Sequence, residues 1–239
     1  AGAYGTLAVT VASGAYTFTP NTAAINALSA STSEIFTVSV TDGLSTTTTT
    51  LSVNLTAVND TPVVTAPASF ALTEDVAANL TYTGTPFADV DSATLTVTLS
   101  VSDGTITGNA GTGITVAGTA TARTFAGTVA ALNTYFTTAG KITYLGLLNN
   151  TTSRTLTTAV SDGALAASAT STINFTAVND APVAAASTLT TIAEDVVSGS
   201  NPGTLVSALV TDFTDADSGA VKGIAVTAVV TTNGTWYYS

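Results

Sequence analysis

Hydrophobic and polar residues alternate along most of this chain. Val38 and Val40 fall on one side of Thr37–Thr41, and Leu51, Val53 and Leu55 repeat the pattern. Leu95, Val97, Leu99 and Val101 repeat it again, as do Ile173 and Phe175. A period of two places successive side chains on opposite faces of a strand, so these segments are expected to be strands with one buried face. Turn signals separate them: Ser13-Gly14, Asp42-Gly43, Asp103-Gly104, Asn109 to Gly113, Asn149-Asn150 and Asp162-Gly163. Short strands with frequent turns predict an all-β fold of Ig-like antiparallel β-sandwiches. Two segments break the pattern. Ala23 to Leu28, and Val129 to Phe136 with Val129, Leu132 and Phe136 at helical spacing, are expected as single-turn connectors whose aromatics fill a core. The run Thr46 to Thr50 leads into Leu51, Val53 and Leu55 and is expected to be the solvated start of a strand.

The chain repeats itself. Ala57-Val58-Asn59-Asp60-Thr61-Pro62 returns as Ala177-Val178-Asn179-Asp180-Ala181-Pro182, Thr41-Asp42-Gly43 as Ser161-Asp162-Gly163, and Glu74-Asp75-Val76 as Glu194-Asp195-Val196, each 120 positions later. Asp89-Val90-Asp91 returns as Asp215-Ala216-Asp217 at an offset of 126, which implies an insertion of about six residues after Glu194. Three modules follow: residues 1–60 as the C-terminal part of one, 61–180 as a complete one, and 181–239 as the N-terminal part of another. Pro62 and Pro182 fix φ and hold the preceding residue extended, so the joints are expected to be short and straight.

Composition narrows the function. Only 8% of the 239 residues are charged, and 53 threonines take their place. Threonine is β-branched, favours strands and keeps a pleated surface hydrated without charge. Fifteen acids face four bases, Arg123, Lys141, Arg154 and Lys222, for a net charge of −11. That balance disfavours nucleic acid and anionic membranes and favours cations as partners. Cys and His are absent, which removes thiol chemistry, the commonest general base and the commonest transition-metal ligand. No apolar run is long enough to span a membrane, and no secretory leader is visible. The chain does not begin with Met and starts and stops within strand-like text, so it is expected to be part of a longer polypeptide.

The acids are not scattered. Outside Glu34 and Asp212 nearly all lie in the repeated motifs, with Asn59, Asp60, Glu74, Asp75, Asp89 and Asp91 matched by Asn179, Asp180, Glu194, Asp195, Asp215 and Asp217. Two carboxylates about 5 Å apart repel by roughly 3 kcal/mol at an effective dielectric near 20, so a converging cluster needs a cation. Ca²⁺ takes six to eight oxygen ligands from carboxylates, amides and backbone carbonyls, which this set supplies. Mg²⁺, which prefers tighter octahedral geometry, is second. Without His or Cys, Zn²⁺ and Cu²⁺ are poorly served. Asp-X-Asp also fits a solvated loop. Asp103-Gly104 reads as a plain hairpin turn. Asp42 and Asp162 fit a turn and a ligand equally well, and Asp75 and Asp195 fit caps or solvated positions.

With these residues in view, the chain resembles known repeats. Ser161-Asp162-Gly163 followed by Ala177-Val178-Asn179-Asp180-Ala181-Pro182-Val183 resembles the end of bacterial cadherin-like repeats. The Glu-Asp near each module start and the following Asp-X-Asp fit the same family. Tyr4-Gly5-Thr6-Leu7 through Gly14-Ala15-Tyr16-Thr17-Phe18-Thr19-Pro20 resembles the VCBS repeat of large secreted adhesins. The resemblance implies β-sandwiches in a long extracellular array at the cell surface, with the adhesion ligand bound elsewhere. It also implies calcium at the joints: Asn59, Asp60, Asp89, Asp91 and Asp162 at the first, and Glu74, Asn179, Asp180, Asp215 and Asp217 at the second, with Glu194 as a further module-start Glu. The linker here is Val-Asn-Asp, shorter in acids than the Asp-X-Asn-Asp-Asn of animal cadherins, which implies fewer or weaker ions.

The leading expectation is a non-catalytic spacer, a stalk stiffened by calcium whose partners are neighbouring modules. The alternative is a subunit of a filament, sheath or surface layer in which like chains complete one another's partial modules. Glycan or ice binding would use Tyr16, Phe18, Trp236, Tyr237 and Tyr238, or threonine ladders. Aromatics alternating along strands usually fill cores, and the threonines lack one fixed spacing. Paired acids could hydrolyse glycosides, but acids recurring at each linker suit joints better than one cleft, so no enzymatic activity is expected. Seven Asn-X-Ser/Thr sites, among them Asn54, Asn79, Asn150 and Asn233, carry little weight in so threonine-rich a chain.

Overall fold

The alternating segments form strands throughout the first three quarters of the chain. The structure is a computed structural model that describes residues 1–10, 12–201, 203–232 and 235. Trp236, Tyr237, Tyr238 and Asn233 lie outside the described residues. The chain divides into two units, Ala1–Thr176 and Ala177–Ser239.

The first unit opens with a hairpin of β1 (Gly5–Val9) and β2 (Tyr16–Pro20), a short helix α1 (Thr22–Asn26), and a longer hairpin of β3 (Thr32–Thr41) and β4 (Thr46–Leu55). Asn21 caps α1 by accepting from the Ala24 amide. The threonine run is the first half of β4 and is exposed, as its composition predicts. The side chains that close this region are few. Leu28 and Leu55 are buried, and Phe18 meets Phe36 edge to face at 6.0 Å. Glu34, an acid outside the repeated motifs, is also buried and accepts the Tyr4 amide with both carboxylate oxygens at 3.2 Å.

The rest of the unit is more completely enclosed. In chain order it contains β5 (Val63–Val64), β6 (Ser69–Thr73), β7 (Ala78–Asn79), β8 (Phe87–Ala88), β9 (Thr94–Ser100), β10 (Thr105–Gly108), β11 (Ile114–Gly118), β12 (Ala122–Thr128), α2 (Val129–Thr137), β13 (Ile142–Leu145), β14 (Arg154–Ser161) and β15 (Ala166–Thr176). Six strands form one sheet in the order β11-β12-β9-β14-β15-β6, antiparallel except that β15 and β6 run parallel. Three form another, β10-β13-β7, and β5 pairs with β8. The apolar faces share one core. Leu95, Val97, Leu99, Phe125, Leu156, Val160 and Ile173 come from the large sheet, and Ile106, Ile142 and Tyr144 from the small one. Phe136 sits at its centre, edge to face with Phe87 at 4.8 Å, Tyr82 at 5.1 Å and Phe125 at 5.2 Å.

The helix α2 is longer than the single turn expected. Thr128 caps it by accepting from the Ala131 amide, and its nine residues bury Leu132, Tyr135 and Phe136. Asn133 holds it in place, accepting from the Phe87 amide and donating to the Phe87 carbonyl, each at 2.9 Å. The aromatics of this segment fill the core, as expected of them.

The second unit is less ordered in pattern. Val183 and Thr214 form one antiparallel bridge, Ser198–Ser200 a 3₁₀ turn, and α3 (Val206–Leu209) one helical turn. None of its described residues is fully buried. The described chain is predominantly β-sheet.

Candidate metal centre

Both Val-Asn-Asp linkers fold back on the Asp-X-Asp loop that follows them, through the same bonds. At the first, the Asp60 amide donates to Asp91 Oδ2 at 3.2 Å, the Asp91 amide to Asp89 Oδ1 at 3.1 Å, and Asn59 Nδ2 to the Asp60 carbonyl at 3.2 Å. In the second unit the Asp180 amide donates to Asp217 Oδ2 at 2.8 Å, the Asp217 amide to Asp215 Oδ1 at 2.9 Å, and Asn179 Nδ2 to the Asp180 carbonyl at 3.0 Å. Backbone pairing just after each linker fixes this geometry. Val63 pairs with Ala88 and Val183 with Thr214, which are corresponding positions at offsets of 120 and 126. Each bridge brings an Asp-X-Asp loop to its linker, and the loop carboxylates accept backbone amides that would otherwise lack partners.

The first knot has two further features. Asp89 Oδ1 also accepts the Ser92 amide at 2.8 Å, while Asp89 Oδ2 and Asp91 Oδ1 are buried without a hydrogen-bond partner. A buried carboxylate oxygen in that state is costly unless a cation or donor meets it. Asp162 joins the same region, with Asn59 Nδ2 donating to its Oδ2 at 2.6 Å. The bond from Asn59, followed by those from the Leu165 and Ala164 amides, holds the Asp162 carboxyl below the usual carboxylate range. Asn59, Asp60, Asp89, Asp91 and Asp162 are thus linked by direct bonds. Among the described residues of this unit, no three acidic side chains bring oxygens within 4.8 Å of one another.

The two residues that fitted turn and ligand equally do form the turn. Asp42 Oδ1 accepts the Leu44 and Ser45 amides, and Asp162 Oδ1 accepts those of Ala164 and Leu165. Those amides hold the Asp42 carboxyl below its ordinary value, the bond from Ser45 contributing most. Asp162 alone of the two adds a bond from a linker side chain. Asp75 caps no helix: it adopts a positive φ of 60° and accepts the amide of Asn149, a turn residue 74 positions on, at 2.7 Å. Asp103-Gly104 does not close the hairpin expected of it, because β9 before it and β10 after it belong to different sheets. Instead the Asp103 carboxylate accepts Arg154 Nε at 2.7 and 2.8 Å in a partly buried ion pair. Nothing local in the sequence announces a pair 51 residues apart.

Glu74 follows β6 in the first unit, is only 4% exposed, and its amide donates to the Thr176 carbonyl at 3.1 Å. Glu194, its repeat partner in the second unit, is exposed on a turn. Among the described residues no helix is long and apolar enough to cross a membrane.

No protein-family model matches the chain, and no curated protein matches it in sequence. Among solved structures it is similar to the endo-fucoidan hydrolase MfFcnA4 of glycoside hydrolase family 107, at 21% identity and a TM-score of 0.26 over 72% of this chain and 22% of that one. It is also similar to MfFcnA9 of the same family, at 16% identity and a TM-score of 0.25 over 73% of this chain and 26% of that one. The chain spans about a quarter of the length of these proteins, and likeness at this level carries no argument about activity.

Proposed function

We propose that this chain is a non-catalytic stretch of tandem Ig-like, cadherin-like β-sandwich modules, a spacer at the bacterial cell surface in which calcium stiffens the linkers. The observation that carries the reading is the pair of buried carboxylate oxygens without partners, Asp89 Oδ2 and Asp91 Oδ1, in a knot whose hydrogen bonds recur at the second linker. Every donor in the set is an oxygen ligand of carboxylate, amide or backbone type, which suits a hard cation of six to eight ligands. Asp60, Asp89, Asp91, Asn59 and Asp162 would hold it at the first knot, and Asp180, Asp215, Asp217 and Asn179 at the second. The ion would neutralise the crowded carboxylates and lock each linker against its loop.

Thermal unfolding in excess Ca²⁺ and in chelator, with Mg²⁺ as control, tests this. Calcium at about a hundred times its dissociation constant stabilises by about 2.7 kcal/mol, so a calcium-specific rise in melting temperature is expected. Asp89→Asn and Asp91→Asn, which keep shape and remove charge, should abolish most of the rise in the first unit. An identical melt in calcium and chelator would overturn the reading.

A second reading, a self-assembling subunit of a filament, sheath or surface layer, is favoured by one observation. The hairpin β3–β4 stands as a two-stranded sheet with both outer edges free of strands among the described residues.

A further inference from the structure

The hairpins β3–β4 and β14–β15 occupy corresponding places 120 positions apart and share a register. Thr41 faces Thr46 in one, and Ser161 faces Ala166 in the other. Their surroundings differ. β9 lies antiparallel along β14, and β6 lies parallel along β15, whereas among the described residues β3 and β4 pair only with each other. Val160 is fully buried and Val40, at the same place, is 58% exposed. The first hairpin therefore presents ten-residue edges of unpaired backbone beside a half-apolar face, which is a template for another strand.

The enclosed copy shows what kind of strand fits. On β9, Val97 faces Val160 and Leu99 faces Thr158. Matching text lies in the second unit, where Ile224, Val226, Ala228 and Val230 alternate as Leu95, Val97, Leu99 and Val101 do. It follows Asp215-Ala216-Asp217-Ser218 as β9 follows Asp89-Val90-Asp91-Ser92, with three more residues between. Residues 221–230 form no strand in this structure and are all exposed, Val226 at 71%. On the other edge, Ile192 stands 120 positions after Leu72, which faces Phe175 from β6. Thr190 stands in place of Phe70, so this edge has the weaker match.

We propose that residues 224–230 of a second copy of this chain add antiparallel to the free edge of β3, with Val226 opposite Val40 and Ala228 opposite Val38, and that its segment around Ile192 adds parallel to β4. This deepens the assembling reading and names its contact. The main-chain ladder supplies affinity, and the alternating side chains set register. Acceptor and donor lie on different parts of the chain, so the contact is head to tail and builds rings or open filaments.

The full chain, which has no cysteine, allows a direct test. Val40→Cys and Val226→Cys are made as separate proteins, mixed and oxidised. Directly opposed residues on adjacent antiparallel strands lie within disulfide reach. The expected result is a disulfide-linked heterodimer in the mixture, at least ten-fold above either variant alone, and its loss when Val229→Cys, on the opposite strand face, replaces Val226→Cys. The unmodified chain should gain mass with concentration in sedimentation, and Val226→Pro should weaken association at least ten-fold without changing the melting of the region 61–176. A mixture that cross-links no better than its components overturns the proposal, as does a double variant that closes within one chain. Association without this cross-link leaves the filament reading on another contact. The cross-link in closed dimers keeps the strand addition and removes the filament.

Discussion

Two regions of this molecule are written in the same alternating text and reach different ends. Residues 61–176 close two sheets over a core centred on Phe136, while residues 1–60 form two hairpins with only a few buried side chains. The difference does not lie in strand propensity, since β3 and β4 are as regular as β14 and β15. It lies in the number of strands and rings available to cover the apolar face. A two-stranded ribbon is marginal by itself, and a face shared by more strands and a helix is not.

The largest effect expected from breaking this contrast is in the enclosed region. Phe136→Ala removes the ring that three others pack against and should cost about 3–5 kcal/mol, read as a lowered denaturant midpoint. Alkaline pH should come next. Burial pushes the Tyr82 phenol up to about 12, against a smaller downward pull from its 2.6 Å bond with Thr158. An unfolded tyrosine ionises near 10. The folded state therefore holds its full stability below pH 10 and loses on the order of 3 kcal/mol as pH rises toward 12. Tyr82→Phe should flatten much of that slope in melts from pH 8 to 12, at a cost near neutrality because the buried Thr158 hydroxyl loses its partner.

A matched pair sharpens the contrast at one position. Val160→Ala in the buried copy should cost roughly 2 kcal/mol, from lost transfer free energy and a cavity. Val40→Ala in the open copy should stay within about 0.5 kcal/mol in dilute protein. Equal costs would show that Val40 is covered in solution. The smallest effect is at the linker. The Asp162 carboxyl, held below the usual range chiefly by Asn59, contributes stability that is present above the ordinary carboxylate pKa and lost as pH falls through its lowered value. Asn59→Ala should shrink that acid-limb dependence slightly in melts between pH 5 and 2.

Much of this fold was legible because period two and β-branched residues act locally. Leu95, Val97 and Leu99 are all buried on one face, as their alternation predicts. The same alternation at Leu51, Val53 and Leu55 predicts the face but not its cover, because cover comes from elsewhere in the chain. The helix α2 was foreseen as helical but too short. Its length comes from packing Leu132, Tyr135 and Phe136 into the core, a tertiary contribution that a count of apolar spacing does not measure. At its end the Thr137 and Thr138 hydroxyls donate to the Asn133 and Thr134 carbonyls one turn back. The linker motifs pointed to the loops they meet, since Asn59, Asp60, Asp89, Asp91 and Asp162 come together by direct bonds. The buried Glu34 and the Asp103–Arg154 pair were invisible, since each depends on a partner brought near only by folding.

The parallel pairing of β6 with β15 has a mechanical consequence. The first linker leads toward the start of β6, and the chain leaves this region from the end of β15. In a parallel pair those two points lie at opposite ends of the shared ladder, which runs from Ser69 opposite Thr172 to Thr73 opposite Thr176. Tension drawn through the chain ends of this region therefore slides one strand along the other. The rungs resist together in shear, rather than opening one after another as a zipper would.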